Sequence, residues 1–372
     1  MKNNSNEGNG DGNGGLDALR LRTTDVNMKL LELLNERAKV AREVREFKIR
    51  NAMDMFDPGR EKEMMDSLTA ANAGPFSNDT IQHLFKEIFK ASLGLMEKSE
   101  NADLIVARRP ESVDVIVKVK GRELGREPVV IAGPCSVEDR EQMEIVAAGL
   151  HRLGVGFIRG GAFKPRTSPY SFQGLGEAGL VMLKDVADRH GLATVTEVVD
   201  TRTVQLVAEY ADILQIGSRN MANYELLKVV ACTGKPVLLK RGFAATLEEF
   251  LQAAEYLAAA GNENIILCER GIRSFNRETR YTLDISAVPL LRGMCRLPVI
   301  VDVSHAAGRR DILSNLARAA LAAGAHGVMI EVHPNPGMAR SDSSQQIDLD
   351  QFERLLGELR PLLAPAIVSA GP

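Results

Sequence analysis

The sequence predicts an α/β protein in which a closed (β/α)8 barrel follows an all-α three-helix module. Three observations lead there. Eight short Val- and Ile-rich runs alternate with helical stretches from residue 129 onward. Ahead of them, apolar residues recur at helical spacing, and 45% apolar with 26% charged residues is enough for a normal core. The 46 basic and 49 acidic side chains leave a net charge of −3 in 372 residues. That balance excludes a purely electrostatic binder of nucleic acid or of acidic membranes.

Residues 1–15, MKNNSNEGNGDGNGG, cannot offset the entropy of ordering themselves and read as a disordered tail. They lack the apolar stretch of a secretory signal and the arginines of a transit peptide, and no run approaches ~18 apolar residues, so a cytoplasmic protein is expected. Residues 16–98 form the helical module. Leu19, Val26, Leu33, Val40 and Phe47 recur every seven residues, with Leu16, Leu30 and Val44 beside that row, which predicts one long amphipathic helix. Asp57 and Pro58 supply an N-cap and first-turn proline for a second helix, closed by Gly74-Pro75. A third follows Ser77, its stripe carrying Ile81, Leu84, Phe85, Ile88, Phe89 and Ser92. Three such helices cannot bury that stripe alone, so pairing with a second copy is expected.

A linker over residues 99–113 leads to a barrel domain over 114–372. The strands are VVIAGPC (129–135), GFIRGGA (156–162), ATVTEV (193–198), ILQIG (213–217), PVLLK (236–240), IILCERG (265–271), VIVDVSH (299–305) and GVMIEVH (327–333). Seven helical segments lie between them, which fits a closed barrel better than an open doubly wound sheet. The run DVIVKVK (114–120) is an extra strand outside the barrel or across its base. Four unclustered cysteines in a chain of this size are expected to be reduced thiols.

In such barrels chemistry gathers where strands end. Here the strand ends bring Arg159, Lys164, Arg166, Arg219, Lys240 and Arg270 to one rim of a near-neutral protein, which predicts a ligand with several negative charges, phosphate and carboxylate together. Closing the barrel also makes neighbours of Cys135, His305 and Glu331, with Asp342 in the loop beyond. One thiolate, one imidazole and two carboxylates suit one divalent transition metal, Mn, Fe, Co or Zn, and not a purely hard Mg or Ca site. His333 is the rival ligand, two residues beyond Glu331, or a residue supporting the ligands. Two other readings are a Schiff base on Lys240, as in metal-free aldolases, and a non-catalytic phosphate-binding barrel.

The motifs GPCS, GGAFKPRTSPYSFQGLG, IGSRNMANY, PVLLKRG, CERGIR, DVSHAAGRR and EVHPNP together resemble the 3-deoxy-D-arabino-heptulosonate 7-phosphate (DAHP) synthases of the short-barrel subtype. The segments LDALRLR, LLNERAKVAREVREFK, FDPGREKEM and LFKEIFKASL resemble an all-helical chorismate mutase. The resemblance implies condensation of phosphoenolpyruvate with erythrose 4-phosphate, and KPRTS stands where the sister enzyme that uses arabinose 5-phosphate has an Asn-Arg pair. It assigns Arg159, Lys164, Arg219, Lys240 and Arg270 to phosphoenolpyruvate, Arg166 and Thr167 to the erythrose 4-phosphate phosphate, and Cys135, His305, Glu331 and Asp342 to the metal. Lys164 is the implied proton donor and Glu197 the residue that orients water.

For the helical module it implies a chorismate or prephenate pocket of Arg37, Lys48, Asp57, Arg60, Glu61 and Ser92, with Arg20 entering from a partner chain in a homotetramer. Met96 departs from the pattern, since that family places a Gln or Glu four residues after Ser92 to bond the ether oxygen, and methionine cannot donate. The module therefore reads either as a mutase that also senses chorismate or prephenate for feedback inhibition, or as a purely regulatory domain.

Overall fold

The computed structural model describes residues 11–363 apart from 52, 54–57, 101–103, 165–167 and 169. These form two units, Met1–Ala102 and Asp103–Pro372.

Helix α1 (Asp11–Arg50) has 40 residues and a length of about 60 Å. It starts ahead of the expected Leu16, so part of the expected tail is helical, while residues 1–10 lie outside the described residues. Helix α2 (Pro58–Ala71) opens on its proline, whose missing N–H costs nothing at a first turn. In α3 (Asn78–Glu100) the Ser77 hydroxyl caps the N-terminus by accepting the Thr80 N–H at 3.2 Å. Helix α3 packs against both α1 and α2 and buries Phe89, yet the heptad row of α1 stays in solvent, with Leu19 60% and Leu33 62% exposed.

The second unit begins earlier than the sequence implies. Leu104, Val106 and Ala107 are buried, Arg108 N–H donates to Met294 O at 2.9 Å and Val115 N–H to Arg296 O at 2.8 Å. From Leu104 on, the expected linker is thus strapped to the barrel, because its apolar residues have a surface to cover there. Strands β1 (Val117–Val119) and β2 (Arg122–Leu124) make an antiparallel hairpin with Val117 opposite Leu124.

Eight parallel strands then close into the barrel: β3 (Val129–Gly133), β4 (Phe157–Arg159), β5 (Ala193–Val198), β6 (Ile213–Ile216), β7 (Val237–Lys240), β8 (Ile265–Glu269), β9 (Val299–Asp302) and β10 (Gly327–Glu331). Closure pairs β10 with β3, Gly327 opposite Val129 and Glu331 opposite Gly133. Between strands run α4 (Arg140–Arg152), α5 (Glu177–Arg189), α6 (Val204–Tyr210), α7 (Tyr224–Ala231), α8 (Leu247–Ala259), α9 (Ala287–Met294), the short α10 (Val303–Ala307) and α11 (Leu313–Ala322), with α12 (Leu349–Leu363) last. The capping box of Thr246 and Glu249 starts α8, reciprocal bonds that satisfy two otherwise orphaned N–H groups.

Alternation along the strands sorts the core into two layers. Ile131, Phe157, Val195, Ile213, Leu238, Ile266, Ile300 and Met329 fill the barrel interior together with Val117 and Leu124, so the hairpin plugs the base, the second of the two positions expected of the extra strand. The neighbours Val130, Ile158, Leu214, Leu239, Leu267, Val301 and Ile330 face outward and pack under the helices. Each fully buried aliphatic side chain contributes about 1.5–3 kcal/mol relative to exposure. No helix among the described residues is long and apolar enough to cross a membrane.

One barrel contact titrates. His326 Nδ1 accepts the Val299 N–H at 3.0 Å, which requires a neutral ring. Burial, then Arg292, pushes its pKa down to about 4. Between that value and the unfolded value of about 6.5, the unfolded chain binds a proton that the folded chain does not, so stability falls as pH falls through this window, by roughly 1–3 kcal/mol. His326→Asn keeps an acceptor without the titration. Its melting temperature measured from pH 7 to pH 4 is expected to fall less steeply than that of the unmodified chain; parallel curves would refute the assignment.

Candidate active site and metal centre

The same alternation that fills the core delivers the polar groups. The inward row of β3 runs Ile131, Gly133, Cys135; β4 runs Phe157, Arg159; β5 runs Val195, Glu197; β7 runs Leu238, Lys240; β8 runs Ile266, Cys268, Arg270; and β10 runs Met329, Glu331. Below is a sealed apolar layer, and above it every strand turns polar within two or four residues. His305 is the exception: it sits on α10, where Asp302 caps the helix by accepting the His305 N–H at 3.0 Å.

Cys135, His305, Glu331 and Asp342 each place a ligand atom within 4.8 Å of the others. Cys135 Sγ lies 3.2 Å from Asp342 Oδ2, His305 Nε2 3.4 Å from Glu331 Oε1 and 3.9 Å from Asp342 Oδ2. The donor set fits a divalent transition metal. Burial, then the Glu331 charge, pushes the Cys135 thiol up to about 11, and burial holds the His305 ring toward its neutral, ligating form. Two carboxylates, a thiol and an imidazole converge on one point, a donor set that a divalent cation would complete, with binding releasing the thiol proton.

Their supports are also in place. Gln345 Nε2 donates to Glu331 Oε2 at 2.6 Å, the Cys135 N–H donates to Gln346 at 3.0 Å, and Arg280 reaches Asp342 at 3.3 Å. Asp342 itself adopts a left-handed φ of 50°, which an aspartate tolerates better than most residues. Gly133 is required by close approach: a Cβ there would lie 2.1 Å from Arg159 O. His333 is not brought into the ligand group. Its Nδ1 accepts the Asn335 N–H at 3.0 Å and its Nε2 stands 3.6 Å from Glu138.

Above the ligand group lies a cleft of about 320 Å³ lined by Lys164, Glu197, Arg219, Arg270, His305 and Asp342, among others. Lys164 Nζ donates to Cys135 O at 2.9 Å and to Cys135 Sγ at 3.1 Å. Deeper down, Arg159 donates to Pro134 O at 2.6 Å and Glu331 at 3.1 Å, and Lys240 pairs with Asp302 at 2.5 Å. With its amine bonded to Asp302, Lys240 is engaged in an ion pair and not presented as a free Schiff-base nucleophile. Arg166 and Thr167 lie outside the described residues.

The structure adds residues that sequence reading left without a role. Arg280, Phe243 and Tyr281 line the cleft, and Arg241 is buried between Glu269 at 2.9 Å and Asp284 at 2.8 Å. Asp302 and Glu269 stood at strand ends in the sequence, but nothing there paired them with Lys240 and Arg241. Gln345 and Gln346 carry no sequence signal at all.

In the helical unit Arg37 donates a short hydrogen bond to Ser92 and lies 5.0 Å from the Phe89 ring centroid. Burial lowers the Arg37 pKa, leaving a partly desolvated cation. Lys48 and Glu61 are half-buried, whereas Arg60 and Arg20 are exposed, pairing with Glu63 at 3.2 Å and Asp17 at 3.1 Å. Asp57 and the Met96 side chain lie outside the described residues.

Comparison with known proteins matches residues 114–363 to the DAHP synthetase I family and residues 19–97 to chorismate mutase type II. Phospho-2-dehydro-3-deoxyheptonate aldolase of Thermotoga maritima is 52% identical over 259 residues, covering 69% of this chain and 77% of that protein. 2-Dehydro-3-deoxyphosphooctonate aldolase of Desulfosudis oleivorans is 33% identical over 262 residues, covering 65% of this chain and 93% of the relative. The crystal structure of the Thermotoga maritima DAHP synthase superposes with a TM-score of 0.68 at 52% identity, over 70% of this chain and 76% of that one. Barrel closure, the converging strand ends and these matches agree: the chain belongs to the DAHP synthetase I family and carries an N-terminal chorismate mutase type II domain.

Proposed function

We propose that the barrel condenses phosphoenolpyruvate with erythrose 4-phosphate and water to give DAHP and inorganic phosphate. The observation that carries this reading is a four-residue metal-ligand group opening into the same cleft as Lys164, Glu197, Arg219 and Arg270. Two anionic substrates repel each other, and cations set around one cleft offset that repulsion while holding the reacting carbons together. Arg159, Lys164, Arg219, Lys240 and Arg270 are read as the phosphoenolpyruvate site, and Arg166 and Thr167 as the erythrose 4-phosphate phosphate site.

Cys135, His305, Glu331 and Asp342 would hold the divalent metal, which when bound polarises the aldehyde as a Lewis acid. C3 of phosphoenolpyruvate bonds to the aldehyde carbon, water adds at C2, and phosphate leaves. Lys164 donates a proton to the forming alkoxide, and Glu197 orients the water. Identity to a heptonate aldolase at 52%, against 33% to an octonate aldolase, and the KPRTS run support the four-carbon sugar.

For residues 16–98 we propose a module that binds chorismate or prephenate through Arg37 and regulates the barrel, in a cytoplasmic homotetramer paired through the α1 stripe. The Arg37 to Ser92 bond supports a dicarboxylate pocket, and the exposed heptad row supports pairing. Met96 favours sensing over efficient rearrangement, since it offers no donor to the ether oxygen.

With metal-loaded protein, phosphoenolpyruvate consumption is expected with erythrose 4-phosphate, to be absent with arabinose 5-phosphate, and to be abolished by a chelator; consumption with the five-carbon sugar would overturn the substrate assignment. A Cβ on Gly217 would lie 2.0 Å from Glu197 Oε1, so Gly217→Ala displaces that carboxylate. It should lower kcat at least tenfold, roughly 1.4 kcal/mol, with little change in melting temperature because the flexible end of Glu197 yields. Unchanged kcat would remove Glu197 from the mechanism. Arg37→Ala should leave synthase turnover intact and abolish inhibition by prephenate, and retained inhibition would sink the sensor reading.

A further inference from the structure

Phe243 is the meeting point of three guanidinium groups. Cζ of Arg270 lies 4.9 Å from its ring centroid, Cζ of Arg273 5.3 Å and Cζ of Arg219 5.6 Å. Phe243 in turn stacks on Tyr281, with centroids 5.1 Å apart and ring planes 7° from parallel, and Arg270 lies 4.1 Å from the Tyr281 centroid. Phe243 follows Lys240 by three residues and Tyr281 follows Arg270 by eleven, so two different loops meet to build this surface.

The other buried cations of the barrel are held differently. Arg159 has Glu331, Lys240 has Asp302, and Arg241 has Glu269 and Asp284. Arg270 is as buried as these, at 5% exposure, yet among the described residues no carboxylate oxygen lies within 4.0 Å of it, and its Nη1 is buried with no hydrogen-bond partner. Asp302, the acid that attracts it most, is already engaged by Lys240 and by His305 Nδ1 at 2.7 Å. Burial is the largest influence on both Arg159 and Arg270. At Arg159 the nearby acids outweigh it and the pKa rises, whereas at Arg270 burial prevails and the pKa falls.

A carboxylate and an aromatic ring hold a guanidinium by different means. A carboxylate takes the N–H donors and cancels the charge, while a ring takes the flat face and leaves both the edge donors and the charge free. The ring also excludes water, so the uncancelled charge acts through a lower dielectric.

We propose that Phe243 and Tyr281 are positioning residues that hold the buried Arg270 as an uncompensated cation, with the exposed Arg219 beside the same Phe243 ring, so that the affinity of the cleft for its phosphorylated acid is set partly by aromatic faces. The inference rests on the assignment of Arg219 and Arg270 to phosphoenolpyruvate given above.

The test uses the full-length, metal-loaded protein and the variants Phe243→Leu, which keeps an apolar side chain without a π face, and Phe243→Tyr, which keeps the face. Phe243→Leu should raise KM for phosphoenolpyruvate about tenfold, change kcat far less, and leave KM for erythrose 4-phosphate in place. Phe243→Tyr should restore the unmodified value. Tyr281→Leu should move the same constant in the same direction. Calorimetric titration with inorganic phosphate, which needs no turnover, should show the same ranking. Unchanged phosphoenolpyruvate KM and phosphate affinity in Phe243→Leu would overturn the proposal, as would equal impairment of the Leu and Tyr variants, which would indicate shape alone. If the unmodified protein consumed no phosphoenolpyruvate, the substrate reading would fail, and the phosphate titration would still decide whether the rings hold the cations.

Discussion

Closure of the barrel is the constraint on which the site depends. Pairing β10 with β3 in a single register sets Glu331 opposite Gly133 and brings residues nearly two hundred positions apart to one rim. A shift of one residue would send the whole inward row of a strand outward, carrying rim groups such as Arg159 or Glu331 under the helices and leaving aliphatic residues such as Ile158 or Ile330 at the rim. The hydrophobic layer thus specifies the chemistry above it. Gly133 shows how tight the closure is, since the backbone at Arg159 occupies the space a side chain would need.

Above that layer the barrel concentrates charge in a region where an unpaired ion is costly. The solution is a graded one. Lys240, Arg159 and Arg241 are balanced by acids that come from other strands or loops, which fixes their direction. Glu331 serves twice, as a partner of Arg159 and as a member of the candidate ligand group, so the cation shell and that group share one carboxylate. Arg270 and Arg219 lean on rings instead. Glu331 and Asp342 make up the acidic part of the site. Such division of charge gives one small cleft both acidic and basic groups.

The helical unit follows another logic. Its contact of Arg37 with Ser92 is flanked by Phe89, while most of the apolar residues that define α1 remain in solvent. A helix of this length with an uncovered stripe gains most of its stability from packing against another surface. The barrel, by contrast, encloses its own core.

Much of this was written into the chain. Strand position and order, the eightfold count, the three helices and the gathering of Cys135, His305, Glu331 and Asp342 followed from apolar periodicity and from the rule that closure joins the first strand to the last. Periodicity is a local property, so a sequence displays it directly. The start of α1 at Asp11 and the attachment of Leu104 to Ala107 were less legible, because polar and glycine-rich composition describes a segment's own preference and not the surface that orders it. Which acid neutralises which base was not legible at all. Asp302 with Lys240, Glu269 and Asp284 with Arg241, Gln345 under Glu331, and the two rings beneath Arg270 are pairings across strands and loops. Only the tertiary structure decides them, since electrostatic and stacking partners are chosen by distance in space, which separation along the chain does not encode.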